Sequence, residues 1–190
     1  MDNICIRFAQ KNIEGEAPLP SSKSISNRYL VLQFLADEDF GLKNLSESAD
    51  TCLMRQLLKK IDRQDEDPDE ETSLNCQNAG AVIRFLTALL AFRAGKWVMD
   101  TDNPRMKARP IAPLVDALRS MGIEIAYLGE EGFPPLKLTG KPEVLQNQGV
   151  IARMDASQSS QFVSAMMMAA PLFPHGLHLE MISETKVSLP

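Results

Sequence analysis

Residues 21–36 read "SSKSISNRYLVLQFLA", in which small polar residues and two cations stand at the start of an apolar helix. The same order recurs at residues 78–91, "NAGAVIRFLTALLA", and at residues 157–170, "SQSSQFVSAMMMAA". Such repetition indicates duplicated structural modules. Each segment is apolar over most of a helix circumference, which predicts that each helix is buried within its module. If the three N-termini point the same way, one rim of the domain becomes an anion-binding surface.

Around these segments, hydrophobic periodicity predicts helices and strands that interleave along the chain. We expect helices at 24–37, 50–62, 78–92, from Pro110 to the residue before Gly122, and within 155–172. Strands are expected at 3–9, 40–46, 96–100, 123–128, 135–139, 149–154 and 176–183. The interleaving predicts an α/β or α+β fold in which a sheet packs on helices.

The periodicity also predicts which helix faces are buried. The apolar face of the first helix carries Ile25, Tyr29, Leu32 and Leu35. The second helix, capped by Asp50, should bury a stripe made of Leu53, Leu57, Leu58 and Ile61. Residues 62–72 contain seven acids in eleven residues, which predicts a solvated loop rather than a calcium site, because the glycine and ligand spacing of such a site are absent.

Composition limits the class of protein. The chain has 190 residues, of which 44% are apolar and 24% charged, as in ordinary soluble globular proteins. A net charge of −5 argues against general affinity for nucleic acid, and no apolar run approaches the roughly 20 residues of a membrane span. Cys5, Cys52 and Cys76 form no CxxC pair and residues 1–10 do not resemble a signal peptide, so we expect reduced thiols in a cytoplasmic protein.

The first polar cluster contains Lys23, Ser24 and Arg28. Helix capping accounts for one or two of the neighbouring serines. It does not account for the cations, because a helix N-terminus is already positive. A bound phosphate or carboxylate, held by backbone amides, hydroxyls and both cations, would explain the cluster. The alternative is a surface cap with two solvated cations.

The second cluster begins with Asn78 and Gly80, and Gly80 would let a ligand approach the backbone closely. A simple N-cap explains Asn78 equally well. Arg84 interrupts the apolar residues 82–90, so it needs a buried partner or an anion, and a structural salt bridge is the expected partner.

The segment 104–110 is expected to be a basic loop in which Arg105, Lys107 and Arg109 alternate. An extended backbone would aim all three side chains to one side. One or two of them would then meet an anionic substrate, unless the loop is merely solvated.

The third cluster, Ser159, Ser160 and Gln161, offers uncharged donors suited to phosphate oxygens or sugar-like hydroxyls, with capping by Ser157 or Ser159 as the alternative. His175 and His178 are the only histidines, and no cysteine or acid cluster completes a metal site around them. The sequence contains no Walker A motif, no GxGxxG motif and no serine nucleophile elbow.

Taken together, "LPSSKSISNRYL", "NAGAVIRFLTALL", "PRMKARPIAPLVDALRSMG" and "DASQSSQFVSAMMMAAP" resemble, in order, the signatures of the 3-phosphoshikimate 1-carboxyvinyltransferase (EPSP synthase) family. The resemblance implies one lobe of an inside-out α/β barrel built from repeated βαβαββ units. Residues 1–15 would form a strand of the second lobe, and residues 16–190 the N-terminal lobe of a longer enzyme. The family makes aromatic amino acid and chorismate precursors in the shikimate pathway and is the target of glyphosate.

The resemblance implies transfer of the enolpyruvyl group of phosphoenolpyruvate to the 5-hydroxyl of shikimate 3-phosphate, with no metal or organic cofactor. Lys23 would contact both substrates and act in catalysis. The residues implied to hold shikimate 3-phosphate are Lys23, Ser24, Arg28, Ser159, Ser160, Gln161 and Ser188. Those implied to line the phosphoenolpyruvate site are Lys23, Asn78, Gly80, Arg105 and Gln161. The remaining partner would be the second lobe, which would supply acid–base groups, so we expect the 190 residues alone to be inactive.

The sequence departs from the family pattern at Ala81, where threonine is usual, and at Phe85, where proline is usual. Two alternatives stay open at this point. The sister enzyme that uses UDP-N-acetylglucosamine shares the fold, although it has asparagine where this chain has Ser24 and a cysteine in the loop corresponding to residues 103–109. The other alternative is a non-catalytic anion-binding module.

Overall fold

The computed structural model describes residues 15–63 and 69–182. Two predictions therefore lie outside the described residues: the strand at 3–9 and the role of Ser188. The proposed boundary between residues 15 and 16 lies at their edge, and nearly all of the segment before it is outside them. The elements in chain order are α1 (Lys23–Ala36), α2 (Ala49–Arg63), β1 (Glu71–Asn75), α3 (Gly80–Ala91), β2 (Gly95–Asp100), α4 (Pro104–Lys107), α5 (Ala112–Ser120), β3 (Glu124–Tyr127), β4 (Leu136–Gly140), a 3-10 helix (Pro142–Gln146), β5 (Val150–Met154), α6 (Ser160–Ala169), a 3-10 turn (Ala170–Leu172) and β6 (Leu177–Met181).

One sheet has the strand order β1-β2-β4-β3. β1 and β2 are parallel and connected through α3, whereas β4 is antiparallel to both of its neighbours. The chain from β1 to β4 is thus a complete βαβαββ unit. The second sheet consists of the parallel strands β5 and β6, connected through α6. The arrangement of a strand, a helix and a parallel strand thus occurs around α3 and around α6, whereas the described residues show none around α1, the third predicted module. The mixed α/β class is confirmed. No closed barrel is present among the described residues.

Helix α3 forms the centre of the core, because eleven of its twelve residues are buried. Most inward side chains of the four-stranded sheet are also buried, and Trp97 in β2 is the largest of them. Strand β4 approaches the C-terminal end of α3 so closely that a Cβ atom on Gly140 would lie 1.6 Å from the carbonyl oxygen of Arg93. Only glycine fits at this crossing. The amide of Lys141 then donates to the carbonyl oxygen of Ala91 at 2.9 Å.

The predicted strand at 40–46 is wrong. Gly41 and Asn44 have φ angles of 61° and 56°, in the left-handed region, and interrupt any extended run. The segment is instead held to α1 by the amide of Ser46, which donates to the hydroxyl of buried Ser26 at 2.9 Å. The expected loop at 62–72 is corrected as well, because strand β1 begins at Glu71 and pairs with β2.

The buried face of α1 also differs from the prediction. Its buried residues are Ser26, Asn27, Leu30 and Val31, whereas Ile25 and Tyr29 are about half exposed. The polar residues Ser26 and Asn27 lie inward because α1 packs on α2 and on residues 40–48 through that face. A hydrophobicity pattern does not reveal a buried face that is half polar.

Helix α2 buries the predicted stripe, but Asp50 does not cap it. The hydroxyl of Ser48 accepts from the amide of Thr51 at 3.4 Å, which leaves Asp50 in the first turn. Pro110 likewise precedes α5 rather than opening it, since α5 begins at Ala112 and Pro113 occupies its first turn. The described residues contain no helix that is long and apolar enough to cross a membrane.

Candidate anion-binding site

Arg28 lies where the N-terminal halves of α1, α3 and α6 meet. Its Nη1 donates to the carbonyl oxygen of Ser24 at 2.9 Å, and its Nη2 donates to the hydroxyl of Ser164 in α6 at 3.0 Å. The guanidinium carbon lies 5.2 Å from the centroid of the Phe85 ring in α3. All three contacted helices therefore take part in fixing this cation. Ser164 and Phe85 were not among the predicted site residues, although Ser164, like Arg84, interrupts an apolar helical run, and that signal could have found it.

Arg84 is the second cation at this junction, and only 9% of its surface is exposed. Its Nη1 donates to Oε1 of Gln161 at 2.6 Å, and its Nη2 donates to the carbonyl oxygen of Pro110 at 3.2 Å. Its guanidinium carbon lies 4.8 Å from the centroid of the Phe162 ring. The expected salt bridge is wrong, because no carboxylate pairs with Arg84 within the described ranges; a side-chain amide and a backbone carbonyl accept its protons instead.

Arg109 approaches the same place from the segment before α5. A Cβ atom on Gly80 would lie 3.0 Å from Nη1 of Arg109 and 3.7 Å from Nη1 of Arg84. Both guanidinium groups thus reach the start of α3. Burial lowers the pKa of Arg84, and the positive charge of Arg109 lowers it further. Two arginines that repel each other at a helix N-terminus, without a paired carboxylate among the described residues, favour a bound anion there.

The basic segment is not extended. Residues 104–107 form the single helical turn α4, whose N-cap Asn103 accepts from the amide of Arg105 at 3.0 Å. The three cations therefore do not alternate on one side, and Arg105 and Lys107 are exposed. Arg109, rather than Arg105, is the cation that the structure brings to Gly80.

Lys23, the first residue of α1, is not free to swing. Its ammonium group lies 3.1 Å from Oδ2 of Asp50 in α2, and half of the Lys23 side chain is exposed. An exposed pair of this kind contributes only about 0–1 kcal/mol, so an incoming dianion can replace the carboxylate as a partner. The hydroxyl of Ser22 caps α1 by accepting from the amide of Ile25 at 3.3 Å, and Ser24 is exposed beside it.

The start of α6 combines capping with exposed donors. Ser159 is its N-cap, and its hydroxyl accepts from the amide of Gln161 at 3.3 Å. Ser160 is exposed, whereas Gln161 is half-buried against Arg84. At the start of α3, by contrast, Asn78 is exposed and does not cap the helix, because Ala79 occupies that position without a side-chain hydrogen bond. The first amides of α3 are therefore left without a side-chain acceptor.

A large groove in the described structure lies elsewhere. It measures about 930 Å³ and lies beside the C-terminal half of α1, where Asp37, Glu38 and Asp39 contribute three of its four acids. None of the three polar clusters lines it. The cations Arg55, Lys59 and Arg93 nearly balance its acids, so its charge does not favour a polyanion. In the part of the chain that the structure describes, no group of three potential metal ligands occurs, and His175 and His178 are both exposed.

Comparison with known proteins assigns this arrangement to a family. A sequence model of the family "EPSP synthase (3-phosphoshikimate 1-carboxyvinyltransferase)" matches residues 8–189. A 3-phosphoshikimate 1-carboxyvinyltransferase of Cellvibrio japonicus is 41% identical over 185 residues, which are 90% of this chain and 42% of that protein. The corresponding protein of Sulfurovum sp. is 41% identical over 189 residues, 90% of this chain and 43% of its own length.

The fold agrees with solved structures. An EPSP synthase structure from Acinetobacter baumannii superposes with a TM-score of 0.64 at 20% identity, covering 90% of this chain and 42% of that chain. The chain therefore spans about two fifths of the length of the relatives that it matches. Since the family model covers nearly all of these 190 residues, the chain belongs to the EPSP synthase family.

Proposed function

We propose that this chain is the shikimate 3-phosphate-binding part of an enzyme that transfers the enolpyruvyl group of phosphoenolpyruvate to the 5-hydroxyl of shikimate 3-phosphate. The observation that carries the proposal is the Arg28 guanidinium, which is fixed between three helices and pairs with no described carboxylate. A phosphate dianion is the ligand that such a cation matches, because guanidinium and phosphate form two parallel hydrogen bonds.

In the proposed complex, Lys23 contacts both substrates, and Ser24 and Arg28 hold shikimate 3-phosphate. Ser159 and Ser160, with Ser188 outside the described residues, contact the same substrate. Asn78, Gly80 and Arg105 line the phosphoenolpyruvate side, and Gln161 lies between the two ligands. Arg109 joins this second group, because it lies against Gly80.

The proposed reaction is an addition followed by an elimination. The 5-hydroxyl gives its proton to a base of the second lobe as its oxygen attacks C2 of phosphoenolpyruvate, and C3 takes up a proton from an acid, which gives a tetrahedral ketal phosphate. Loss of a proton from C3 then expels inorganic phosphate and restores the double bond. Lys23 stabilises the anionic charge in both steps, and the acid–base groups come from the second lobe of the longer relatives. We also propose a cytoplasmic location.

Titration of the 190-residue chain with shikimate 3-phosphate by isothermal calorimetry tests the proposal. We expect weak binding that is lost in Lys23→Ala and in Arg28→Ala. Lys141→Ala and Arg153→Ala are the controls, since each removes a cation outside the three polar clusters. Both are paired with an acid, as Lys23 is with Asp50. UDP-N-acetylglucosamine should not bind. Wild-type affinity in the Lys23→Ala/Arg28→Ala double variant would show that the site is wrongly placed.

The chain by itself should not release phosphate from a mixture of both substrates, because groups from the second lobe are needed. A colorimetric phosphate assay measures this directly. Turnover by the purified 190 residues would refute the proposal that the second lobe supplies the acid–base groups. It would not contradict the proposed binding of shikimate 3-phosphate.

A further inference from the structure

We propose that Arg84 is a positioning residue that fixes the side-chain amide of Gln161, with the carbonyl oxygen turned inward and the amino group turned to the bound anion. The inference rests on the proposed function, since it assigns Gln161 a donor role toward the ligands of that site. It adds a residue to which neither the motifs nor the relatives' names give a role.

The orientation of the Gln161 amide follows from the chemistry of its partner. Nη1 of Arg84 lies 2.6 Å from Oε1 of Gln161. A guanidinium group can only donate hydrogen bonds, and only the oxygen of a glutamine amide can accept one. The amino group must therefore be the free end, and within the described ranges it makes no hydrogen bond of its own.

Arg84 is itself immobilised, which makes it a suitable anchor. Its second terminal nitrogen donates to the carbonyl oxygen of Pro110 at 3.2 Å, and its planar group lies 4.8 Å from the ring centroid of Phe162. The side chain is nine-tenths buried. The backbone amide of Gln161 is also tied, since it donates to the Ser159 hydroxyl at 3.3 Å. The backbone and the side-chain amide of Gln161 are thus both restrained.

Without Arg84, the side-chain amide of Gln161 could rotate so that its oxygen and amino group exchange positions. Its oxygen would then face the ligand in part of the population, where it would repel an anion instead of donating to it. A direct role is the competing explanation, because Nε of Arg84 is buried without a partner and its Nη1 lies 3.7 Å from the position of a Cβ on Gly80. The two explanations differ in whether the effect of Arg84 requires Gln161.

A double-variant cycle on the affinity for shikimate 3-phosphate separates them. We expect Arg84→Met to weaken binding about tenfold and Gln161→Met to weaken it by a similar factor. The double variant should bind no more weakly than Gln161→Met alone. Gln161→Glu retains an acceptor for Arg84 but loses the donor, so it should bind at least as weakly as Gln161→Met. Independent effects that multiply, or unchanged affinity in Arg84→Met, would overturn the inference.

A second measurement covers the risk that Arg84→Met does not fold. Arg84→Lys keeps the charge and one donor, so it should fold, as checked by circular dichroism, and bind with an affinity between those of the parent and Gln161→Met. In the parent, addition of shikimate 3-phosphate should shift the side-chain amide signals of Gln161 in a ¹H–¹⁵N spectrum. An absent shift in a parent that binds would contradict the positioning role alone, whereas absence of parent binding contradicts the proposed function.

Discussion

At the scale of single residues, two arginine–aromatic pairs define the site. Arg28 lies over Phe85 and Arg84 lies over Phe162, with guanidinium carbons 5.2 and 4.8 Å from the ring centroids. The ring of Phe85 in α3 lies under the guanidinium group of Arg28, which the proposal assigns to shikimate 3-phosphate. A flat ring under the Arg28 guanidinium leaves its edge open, so the donors that Ser24 and Ser164 do not use can reach a ligand, while the ring restricts the side chain.

Phe85→Leu should therefore weaken shikimate 3-phosphate binding as well as the fold. Loss of the ring removes about 1 kcal/mol of cation–π stabilisation, equivalent to roughly a fivefold rise in Kd. Calorimetric titration provides the measurement. Phe92→Leu is the matched control, because Phe92 is equally buried but packs edge-on against Phe173 at 5.0 Å. Equal affinity losses in both variants would mean that general loosening of α3, rather than the ring under Arg28, causes the effect.

Cys52 and Cys76 should differ sharply in reactivity, because Cys52 is exposed and Cys76 is buried. Burial, and secondarily the charge of Asp100, raise the pKa of Cys76 from 9.0 to about 12. Since the thiolate is the reactive form, iodoacetamide at pH 8 should label Cys52 and leave Cys76 unlabelled until the chain unfolds. Peptide mass spectrometry over time distinguishes the two sites. Rapid labelling of Cys76 in the folded chain would contradict its placement in the core.

The same thiol predicts a pH dependence of stability. Cys76 stays protonated in the folded state up to about pH 12, whereas in the unfolded chain it loses its proton near its ordinary value of 9.0. The unfolded state then binds fewer protons, so the free energy of unfolding should fall as pH rises from 9 to 12 and be insensitive to this group below that range. Urea titrations should show a shallower decline for Cys76→Ala, and an identical decline would exclude the thiol as a contributor.

At the scale of elements, sequence periodicity predicted most helices and strands, because a buried stripe determines both the element and its packing face. Helix α2 and strand β2 are examples. The failures have identifiable causes. The inward face of α1 carries the polar residues Ser26 and Asn27, so the hydrophobicity pattern did not identify it as buried. Gly41 and Asn44 adopt left-handed φ angles, which interrupt a sequence that otherwise resembles a strand. Strand β1 was not predicted, because it begins within an acidic stretch and is stabilised by pairing with β2, about 25 residues away in the sequence.

The prediction of the site was limited in the same way, because local patterns do not show contacts between distant segments. Motifs identified Arg28 and Gln161, but the partners that hold them come from other helices. Ser164 contacts Arg28 across 136 residues, and Arg84 contacts Gln161 across 77 residues. Local spacing cannot reveal such pairs. It also predicted an extended segment at 104–110, where a capped helical turn leaves Arg109, and not Arg105, against Gly80.

The crossing of β4 and α3 should be highly sensitive to substitution. Gly140→Ala places a methyl group 1.6 Å from the carbonyl oxygen of Arg93 and 2.5 Å from that of Leu90, and these backbone atoms cannot yield without separating the two elements. We expect a loss of at least about 3 kcal/mol in the free energy of unfolding, measured by urea denaturation. Gly129→Ala is the control, since its nearest neighbour is Pro135 Cδ at an ordinary 3.7 Å. Similar stability of both variants would show that the crossing is looser than described.

At the scale of the whole molecule, the two sheets differ in strand pairing and in burial. Strand β2 is central in the four-stranded sheet, with hydrogen-bonded neighbours on both sides and Trp97 and Met99 fully buried. Strand β6 has a neighbour on one side only, and none of the residues Leu177–Met181 is fully buried. Helix α6, which carries Gln161 and Ser164, connects the two strands of this weaker sheet. The proposed substrate site thus uses α3 of the completed βαβαββ unit and α6, which leads to the poorly buried strand β6.

This inequality predicts distinct rates of amide hydrogen exchange. Amides of β2 should exchange only on global unfolding, whereas those of β6 should exchange through local opening at least about a hundredfold faster, because few buried contacts resist that opening. Mass spectrometry of peptides that cover residues 95–100 and 177–181 measures both rates in one experiment. Shikimate 3-phosphate should slow exchange in α6 more than in β2, since the ligand binds the start of α6 in the proposed complex. Equal rates in the two sheets without ligand would mean that they unfold as one unit, and β6 would then need stabilising contacts that its low burial does not provide.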